Sequence, residues 1–300
     1  MKNVLVLGGT GFVGRHVCAA LQRAGLSVTV ITRRLAHAQA IRHLPLVHVV
    51  QGDVHSPQVL AQHLPGHDAV INLVAILHGN EARFEHVHVS LPTHLVEAMA
   101  HAGVQRLIQV SALGAGLQSP SMYQRSKAQG EQVLKSAAQA HSMALTLIRP
   151  SVIFGLDDRF INLFARLQAF APVVPLASAH TRFQPVWVQD VAQGIVNALP
   201  RHDTHGKAYE AVGPEVLSLA ELVRFAGQWS GHRRWVLPLP HSVAWLQALA
   251  MECLPGEPLM SRDNLASMQV DNVATGQRPT LDALGIHKPR ALATVFVRST

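Results

Sequence analysis

The stretch Lys2–Gly14, KNVLVLGGTGFVG, decides the fold of this chain. Its first part, Asn3–Leu7, is a short apolar and β-branched run that predicts a buried strand. An amphipathic helix pattern begins at Phe12, and three glycines lead into it at three-residue spacing: Gly8, Gly11 and Gly14. In this context they predict a tight turn, a close backbone approach to a pyrophosphate and a close helix–sheet contact. The sequence therefore predicts dinucleotide binding, with a glycine-rich turn of an unrelated α/β domain as the alternative.

Length and composition indicate an ordinary globular protein. The 300 residues are 48% hydrophobic and 14% charged, enough for one large core or two unequal domains. The two cysteines, Cys18 and Cys253, predict no disulfide framework. The strand at Asn3 leaves no room for a targeting peptide, and no apolar run reaches the roughly 18 residues of a spanning helix. We expect a cytoplasmic protein, with a peripheral contact at the inner face of a membrane left open.

Charge and histidine content are high but scattered. The formal net charge is +7, which can attract nucleotides, nucleic acid or an anionic membrane surface. No basic run reaches five residues, so a scattered basic surface is favoured over nucleic-acid binding. Among 19 histidines the tightest pair, His86 and His88, has no Cys or acidic partner at ligand spacing. We expect no metal site.

The periodicity of the chain predicts a doubly wound parallel sheet of the Rossmann type, an α/β fold. Further strands are predicted at Ser27–Ile31, Val47–Gln51, Ala69–Leu73, Arg106–Val110 and Ala144–Arg149. We expect a dinucleotide-binding Rossmann domain over 1–155 and a smaller, mainly helical substrate or partner domain over 156–300. A helix at about 190–199, with Asp190 as its N-cap, is predicted to pack back on the first domain.

The end of the second strand indicates which dinucleotide binds. Folds that prefer NAD usually place Asp or Glu there, whereas an Arg accommodates a 2′-phosphate. The chain has Arg33 and Arg34 and no acid at this point, and guanidinium groups fork onto phosphate oxygens. The sequence therefore favours NADP(H), with solvated loop cations as the alternative.

Residues after the other strands complete the predicted cofactor site. Asp53 lies where the adenine ring is expected, and it either accepts from the adenine amine or only shapes the turn. We expect the following residues to bind the cofactor: Gly8, Thr10, Gly11, Phe12, Val13, Gly14, Arg33, Arg34, Asp53, Val54, Leu73, Val74, Ala75, Lys127, Pro150 and Val152.

The predicted catalytic residues are Ser111, Tyr123 and Lys127. Four-residue spacing places Tyr123 and Lys127 one helical turn apart on the same face. A nearby ammonium lowers the pKa of a phenol from about 10. A carbonyl held between Ser111 and Tyr123 would be polarised for hydride attack and protonated by Tyr123. The alternatives are a helix cap with a surface cation, or cofactor binding without turnover.

At this point the chain resembles the short-chain dehydrogenase/reductase superfamily, of the extended or atypical kind. Downstream motifs are similar to one branch, the NADPH-binding accessory subunit of mitochondrial complex I and its bacterial relatives, and the likeness continues through Leu284–Ile286. These motifs are Leu147–Gly155 (LIRPSVIFG), Asp158–Phe160 (DRF), Phe183–Val191 (FQPVWVQDV), Gly206–Tyr209 (GKAY) and Val212–Pro214 (VGP). The resemblance implies a Rossmann domain, a small C-terminal domain and bound NADP(H). For the mitochondrial subunit it implies a structural role.

Two departures from the superfamily pattern bear on turnover. Many members carry an Asn in the helix before the fifth strand, where this chain has His88. The gap between Ser111 and Tyr123 is short, and it contains the small residues Gly114, Ala115 and Gly116. Both departures count against ordinary sugar-nucleotide substrates.

The leading hypothesis is an NADP(H)-dependent oxidoreductase acting on a carbonyl of an apolar, quinone-related substrate. Phe154, Phe160 and an apolar helix at 243–251 would line its site, although core packing is the favoured interpretation of that helix. The alternative is a non-catalytic NADPH-binding accessory or assembly protein of a respiratory or quinone-biosynthesis complex. The first hypothesis implies a small-molecule substrate, and the second implies a protein partner.

Overall fold

The computed structural model describes residues 1–253, 256 and 258–297. Its strands are β1 (Asn3–Leu7), β2 (Ser27–Thr32), β3 (Val47–Gln51), β4 (Ala69–Asn72), β5 (Arg106–Val110), β6 (Ala144–Pro150), β7 (Ile153–Phe154), β8 (Val173–Leu176), β9 (Arg182–Phe183), β10 (Val186–Trp187), β11 (Lys207–Ala211), β12 (Leu217–Ser218) and β13 (Trp235–Pro238). Its helices are α1 (Phe12–Arg23), α2 (Pro57–His63), α3 (Glu81–Glu85), α4 (Leu91–Ala102), α5 (Met122–Ala140), α6 (Ile161–Phe170), α7 (Val188–Ala198), α8 (Leu219–Ser230), α9 (His241–Glu252), α10 (Arg262–Ser267) and α11 (Leu292–Val295).

Seven parallel strands form one sheet in the order β3-β2-β1-β4-β5-β6-β11. The strand order reverses between β1 and β4. This place is the switch point of the sheet, and ligands of open α/β sheets bind at such a point. The predicted doubly wound fold is confirmed. β11 follows residue 155 in the chain and yet completes the sheet beside β6, so the second half of the chain returns to the first. The division at 155 stays a prediction.

β1 lies at the centre of the sheet and is buried on both faces. Val4 and Val6 belong to a core cluster with α1 and α7, whereas Leu5 and Leu7 belong to one with α2, α4 and α5. Strands covered by helices on both sides have continuous apolar sequences. This burial explains why VLVL shows no alternation of polar and apolar residues. Val191 and Ile195 of α7 lie in the same core cluster as Val4 and Val6.

A wide turn interrupts the helical segment Glu81–Ala102. A π-helical turn, His86–Ser90, separates α3 from α4. The ring of His86 stacks on His55 with centroids 4.3 Å apart, while His88 is buried. α5 passes very close to this turn at Gly130, where a Cβ would lie 2.0 Å from the His88 carbonyl oxygen. The close contact fixes α5 against the wide turn.

Two expectations for the second half of the chain are wrong. Asp190 is not an N-cap, because α7 begins at Val188 and the Asp190 carboxylate accepts a hydrogen bond from the Arg290 amide at 2.7 Å. Phe154 does not line a ligand site, because it is fully buried and its ring packs 6.0 Å from the ring of Phe296.

α9 is mostly exposed, so the core-packing interpretation of 243–251 holds only for Ala244 and Ala248. Val243, Trp245 and Leu246 are all exposed. Among the described residues no helix combines the length and the hydropathy needed to cross a membrane.

The two glycines that flank the start of α1 respond differently to an added methyl group. A Cβ on Gly14 would lie 2.2 Å from the Gly8 carbonyl oxygen, and backbone cannot yield to it. We expect Gly14→Ala to lower the free energy of unfolding by about 3 kcal/mol. Gly11→Ala is the matched control: its Cβ comes no nearer than 3.3 Å to the Gly8 carbonyl oxygen, and we expect a loss below about 1 kcal/mol. Urea denaturation of both variants measures this, and equal losses would contradict the close contact.

Candidate active site

The turn between β1 and α1 provides an anion site made of main chain. Gly8 has φ +79°, in the left-handed region, and the Gly11 amide donates to the Gly8 carbonyl at 3.1 Å. Gly11 is exposed and forms the N-cap of α1. Within the described part of the chain no side chain caps this end, and its first turn contains no acidic residue, so its amides and positive dipole end can receive an anion. The turn therefore fits a diphosphate.

The loops after β2 and β3 lie side by side at the same edge. The Gly52 amide donates to the Thr32 carbonyl at 3.0 Å, and the Gln51 side chain donates to the Arg33 carbonyl at 3.3 Å. Arg33 and Arg34 are exposed, and neither guanidinium makes a hydrogen bond or ion pair with the described part of the chain. Both cations are therefore available to an anion beside the glycine turn.

The other predicted adenine contacts are less open to a ligand. The Asp53 carboxylate accepts from the His55 amide at 3.0 Å, which is the turn-shaping role considered for it. Val54 is buried in the core cluster of α2 and α4. A contact of either residue with adenine stays a prediction.

The end of β4 borders the glycine turn. The Leu73 amide donates to the Leu7 carbonyl at 2.9 Å, and the Asn72 side chain accepts from the Val74 amide at 3.1 Å. A Cβ on Gly8 would lie 3.1 Å from the Leu73 carbonyl carbon. These contacts place Leu73 and Val74 beside the glycine turn, and Ala75 is exposed next to them. Their contact with a cofactor stays a prediction.

The segment after β6 lies against the start of α1. Pro150 is buried, and its carbonyl accepts from the Leu113 amide at 2.8 Å. Val152 is half-buried against the C-terminal core. A Cβ on Gly155 would lie 3.1 Å from the ring of Phe12, so this segment passes directly over the start of α1. Phe12, Val13 and Thr10 are half-buried at that place.

α5 carries the predicted catalytic residues Tyr123 and Lys127. Its N-terminus is capped by the adjacent Ser121 and by Asp263, which is distant in the sequence. The Ser121 hydroxyl accepts from the Gln124 amide at 3.1 Å. The Asp263 carboxylate accepts from the amides of Met122 at 2.5 Å and Tyr123 at 3.1 Å. The C-terminal part of the chain therefore holds the first turn of the helix. Sequence reasoning missed Asp263, because nothing in the pattern links residues 140 positions apart.

The pKa of Tyr123 shifts in the direction opposite to the predicted one. Burial raises the pKa of Tyr123 to about 12, so the expected lowering of its pKa by Lys127 is wrong for this structure. The Lys127 ammonium donates instead to the Val110 carbonyl at 2.9 Å. Burial lowers the pKa of Lys127 to about 8, opposed by the charge of Glu131.

Ser111 lies with Lys127 in a buried polar compartment beneath α5. Ser111 is 5% exposed and helps to lower the pKa of Glu131, yet no hydrogen bond of ordinary geometry satisfies its hydroxyl. An enclosed void of about 10 Å³, lined also by His88, borders these side chains. Such a void is close to the size of one water molecule. The structure thus brings Ser111 and Lys127 together, but on the inner side of the helix.

Glu131 is a further buried charge that sequence reasoning missed. It accepts from Arg149 Nε at 2.8 Å and pairs with Lys135 on the helix surface at 3.4 Å. Burial alone would raise the pKa of Glu131, but the hydrogen bonds and the charge of Arg149 outweigh burial and lower it. Its position four residues after Lys127, on the face of Tyr123, was the available signal.

His88 connects the loop after β4 to α5 as a neutral side chain. The Ile76 amide donates to His88 Nε2 at 3.2 Å, so Nδ1 carries the proton that faces Ser126 Oγ at 2.8 Å. Ser126 in turn donates to the Tyr123 carbonyl at 2.9 Å. Burial lowers the pKa of His88 to about 3, and the charge of Lys127 adds to this effect.

A crevice of about 590 Å³ opens beside the start of α5. Met122 and Asp263 form one side of it, and Trp245 of α9 forms another. Arg262 lies over the Trp245 ring at 5.5 Å and donates to Glu252 at 2.8 Å. Apolar surface and paired charges therefore meet next to Tyr123.

The sequence model of one protein family, described as the NAD dependent epimerase/dehydratase family, matches residues 4–211. The chain belongs to this family. Membership confirms the resemblance to extended short-chain dehydrogenases/reductases, and the glycine turn and the switch point lie within the matched segment.

Individual proteins of known name are similar to most of the chain. Subunit 9 of the NADH dehydrogenase [ubiquinone] 1 alpha subcomplex from Mus musculus is 35% identical over 294 residues, 94% of this chain and 75% of that protein. A ceramide reductase of Caulobacter vibrioides is 32% identical over 195 residues, 64% of this chain and 59% of that protein. An epimerase of Methanothermobacter thermautotrophicus has the same fold, with a TM-score of 0.78, 18% identity and coverage of 99% and 90% of the two chains.

The buried neutral His88 makes the stability of the protein depend on pH. At a pH between the ordinary histidine pKa of 6.5 and the folded pKa of about 3, His88 binds a proton in the unfolded chain but not in the folded chain. The free energy of unfolding therefore falls as the pH drops below 6.5. We expect His88→Gln to show a shallower fall than the parent protein. Urea denaturation between neutral and mildly acidic pH measures it.

The exposed His43 provides the control for this experiment. We expect His43→Gln to keep the pH dependence of the parent protein. A parent slope retained in His88→Gln would show that His88 is protonated in the fold.

Proposed function

We propose that the chain is an NADP(H)-dependent oxidoreductase that transfers hydride to or from a carbonyl group. Two observations carry the proposal: the glycine turn follows β1 where the strand order reverses, and the helix that bears Tyr123 and Lys127 reaches the end of β5 through the Lys127 ammonium. Membership of a family described as NAD dependent supports it.

The main chain of Gly8–Gly14 would hold the diphosphate, and Arg33 with Arg34 would hold the 2′-phosphate. Asp53 and Val54 would border adenine, and Leu73–Ala75, Pro150 and Val152 would border the other ring. Lys127 would bind the nicotinamide ribose after leaving the Val110 carbonyl. The bound nicotinamide supplies or accepts the hydride.

Tyr123 would donate the proton to the carbonyl oxygen. A general acid must hold its proton before the reaction, and the raised pKa of Tyr123 ensures this at neutral pH. A charged Lys127 next to the phenol would then favour the phenolate that forms. Ser111 would orient the carbonyl, a role that requires its hydroxyl to rotate away from Glu131.

The proposed substrate is apolar, with a quinone-related carbonyl compound as the first candidate. Trp245 and Met122 contribute apolar surface to the crevice beside Tyr123, and Phe160 lies half-buried in the adjoining C-terminal core. The name of the ceramide reductase states a lipid substrate for that relative, and the name of the mouse relative states ubiquinone.

The second candidate function is a non-catalytic NADPH-binding subunit of a respiratory or quinone-biosynthesis complex. The 35% identity with the mouse complex I subunit favours it. So does the burial of Ser111, because a binding protein does not need this hydroxyl at the ligand. Either function is compatible with a cytoplasmic protein that touches the inner face of a membrane.

The preference for NADP(H) depends on Arg33. We expect Arg33→Ala to weaken NADPH binding by about tenfold or more, because a charge-assisted phosphate contact is lost, and to leave NADH binding nearly unchanged. Isothermal titration calorimetry with both nucleotides measures the difference. Arg42→Ala removes an exposed arginine elsewhere in the chain and should change neither affinity. An equal loss for NADPH and NADH in Arg33→Ala would refute the phosphate role.

Tyr123→Phe separates the two candidate functions. If the chain is an enzyme, we expect the parent protein to oxidise NADPH with a member of a quinone and aldehyde panel. Tyr123→Phe should then lower kcat by about 100-fold or more and leave the Kd for NADPH unchanged. Tyr209→Phe, which alters the only other tyrosine, is the control. Undiminished turnover in Tyr123→Phe would exclude the proton-donor role, and tight NADPH binding without turnover in the parent would favour the accessory function.

A further inference from the structure

A small two-stranded ribbon exposes a set of large apolar side chains away from the nucleotide crevice. β13 pairs with β8 in parallel, with Trp235 opposite Val173 and Leu237 opposite Pro175. Trp235 is 84% exposed, Leu237 55% and Val173 41%. The intervening residues Val236 and Val174 face the C-terminal core. The apolar members of the ribbon therefore lie on one outer face.

The end of α6 extends this face. Phe170 is 90% exposed and is the last residue of α6, and two residues separate it from the start of β8. Arg234 Nε donates to the Gln168 carbonyl at 2.9 Å, which fixes the end of α6 next to β13. We call the resulting surface the ribbon face: Phe170, Val173, Pro175, Trp235 and Leu237. The exposed rings of Phe170 and Trp235 on one surface are unusual for a surface that contacts only solvent.

The two segments that build the ribbon face carry charges of one sign. Arg233 and Arg234 directly precede Trp235, and the exposed Arg166 lies one helical turn before Phe170. The sequence contains no Asp or Glu between Asp158 and Asp190 or between Glu221 and Glu252. Both segments that build the ribbon face are therefore basic or neutral throughout.

We propose that the ribbon face docks the protein on the surface of an anionic phospholipid bilayer. Trp is the residue best suited to the boundary between headgroups and acyl chains, and adjacent Arg side chains bind lipid phosphates. Each basic residue near an anionic leaflet contributes about 1 kcal/mol of attraction. α9 follows the ribbon after Pro240 and adds the exposed Val243 and Leu246.

A second copy of the chain is a less suitable occupant. A two-fold contact places the same patch on both partners. It would bring Arg233 and Arg234 of both copies together in an apolar interface, where like charges repel. A lipid surface instead supplies the negative charge that the ribbon face lacks.

The docking proposal identifies the membrane contact left open above, and it does not depend on turnover or on the identity of the nucleotide. The test is co-sedimentation of the full chain with vesicles of phosphatidylcholine alone and of phosphatidylcholine mixed with phosphatidylglycerol. We expect binding to the mixed vesicles only, weakened by added salt. Trp235→Gln and Arg233→Glu should each reduce the partition coefficient by about tenfold.

The controls are Val216→Gln and Arg42→Glu, which make similar changes at exposed positions outside the ribbon face. We expect both to bind as the parent protein does. Failure of the parent to bind the mixed vesicles would overturn the proposal, as would equal losses in the controls and the test variants. A dimer in analytical ultracentrifugation that Trp235→Gln dissociates would also overturn it, in favour of a second copy.

Because the readout is vesicle binding, it remains informative if no substrate is found. Failure of the docking proposal leaves the NADPH affinity of Arg33→Ala unaffected, and failure of the proposed oxidoreductase leaves vesicle binding unaffected. The two results can therefore be told apart.

Discussion

The rest of the structure depends on the contact between Gly14 and the carbonyl of Gly8. This contact lets α1 start directly above the end of β1 and points its free amides across the switch point. Larger side chains would move the helix away from the sheet and close the space above Gly11. The end of β4 contacts this turn at Gly8, and the segment after β6 contacts the start of α1 at Phe12.

Beneath α5 the protein keeps charged groups where water is nearly absent. Lys127 and Glu131 are both buried, and the second is compensated by Arg149. Removing one member of such a set leaves an uncompensated charge, which is costly in a low dielectric. His88 remains neutral in the same surroundings and connects the β4 loop to the helix. The buried polar contacts thus fix α5 in one position against the sheet. They also limit how far the side chains of Ser111 and Lys127 can rotate toward a ligand.

The sheet was predictable because its signals are local. Val4 to Leu7 and the glycines follow from strand burial and turn sterics, and the alternation of strands and helices sets the topology. The wide turn at His86–Ser90 was not predictable, because it depends on Gly130 of another helix meeting the His88 carbonyl. Phe154 resembled a lining residue by its position in a family motif, yet the ring of Phe296, far away in the sequence, encloses it.

The position of Tyr123 and Lys127 on one helix was easier to predict than their titration. Spacing placed Tyr123 and Lys127 on one helical face, and the structure agrees. The sign of the Tyr123 pKa shift was missed, because spacing shows that a cation is near but not that burial is stronger or that Val110 binds the ammonium. Asp190 was read as a cap from its residue type, although its partner, the Arg290 amide, lies 100 residues away.

The bond from Asp263 to the first turn of α5 has a consequence for the order of folding. Chains leave the ribosome from the N-terminus, and domains begin to fold as they emerge. α5 is synthesised long before Asp263, which follows Met122 by 141 residues. The Rossmann sheet can assemble early. The first turn of α5 receives its hydrogen bonds to Asp263 only after residue 263 has left the ribosome. Nascent chains therefore pass through a stage with a formed glycine turn and an incompletely capped α5.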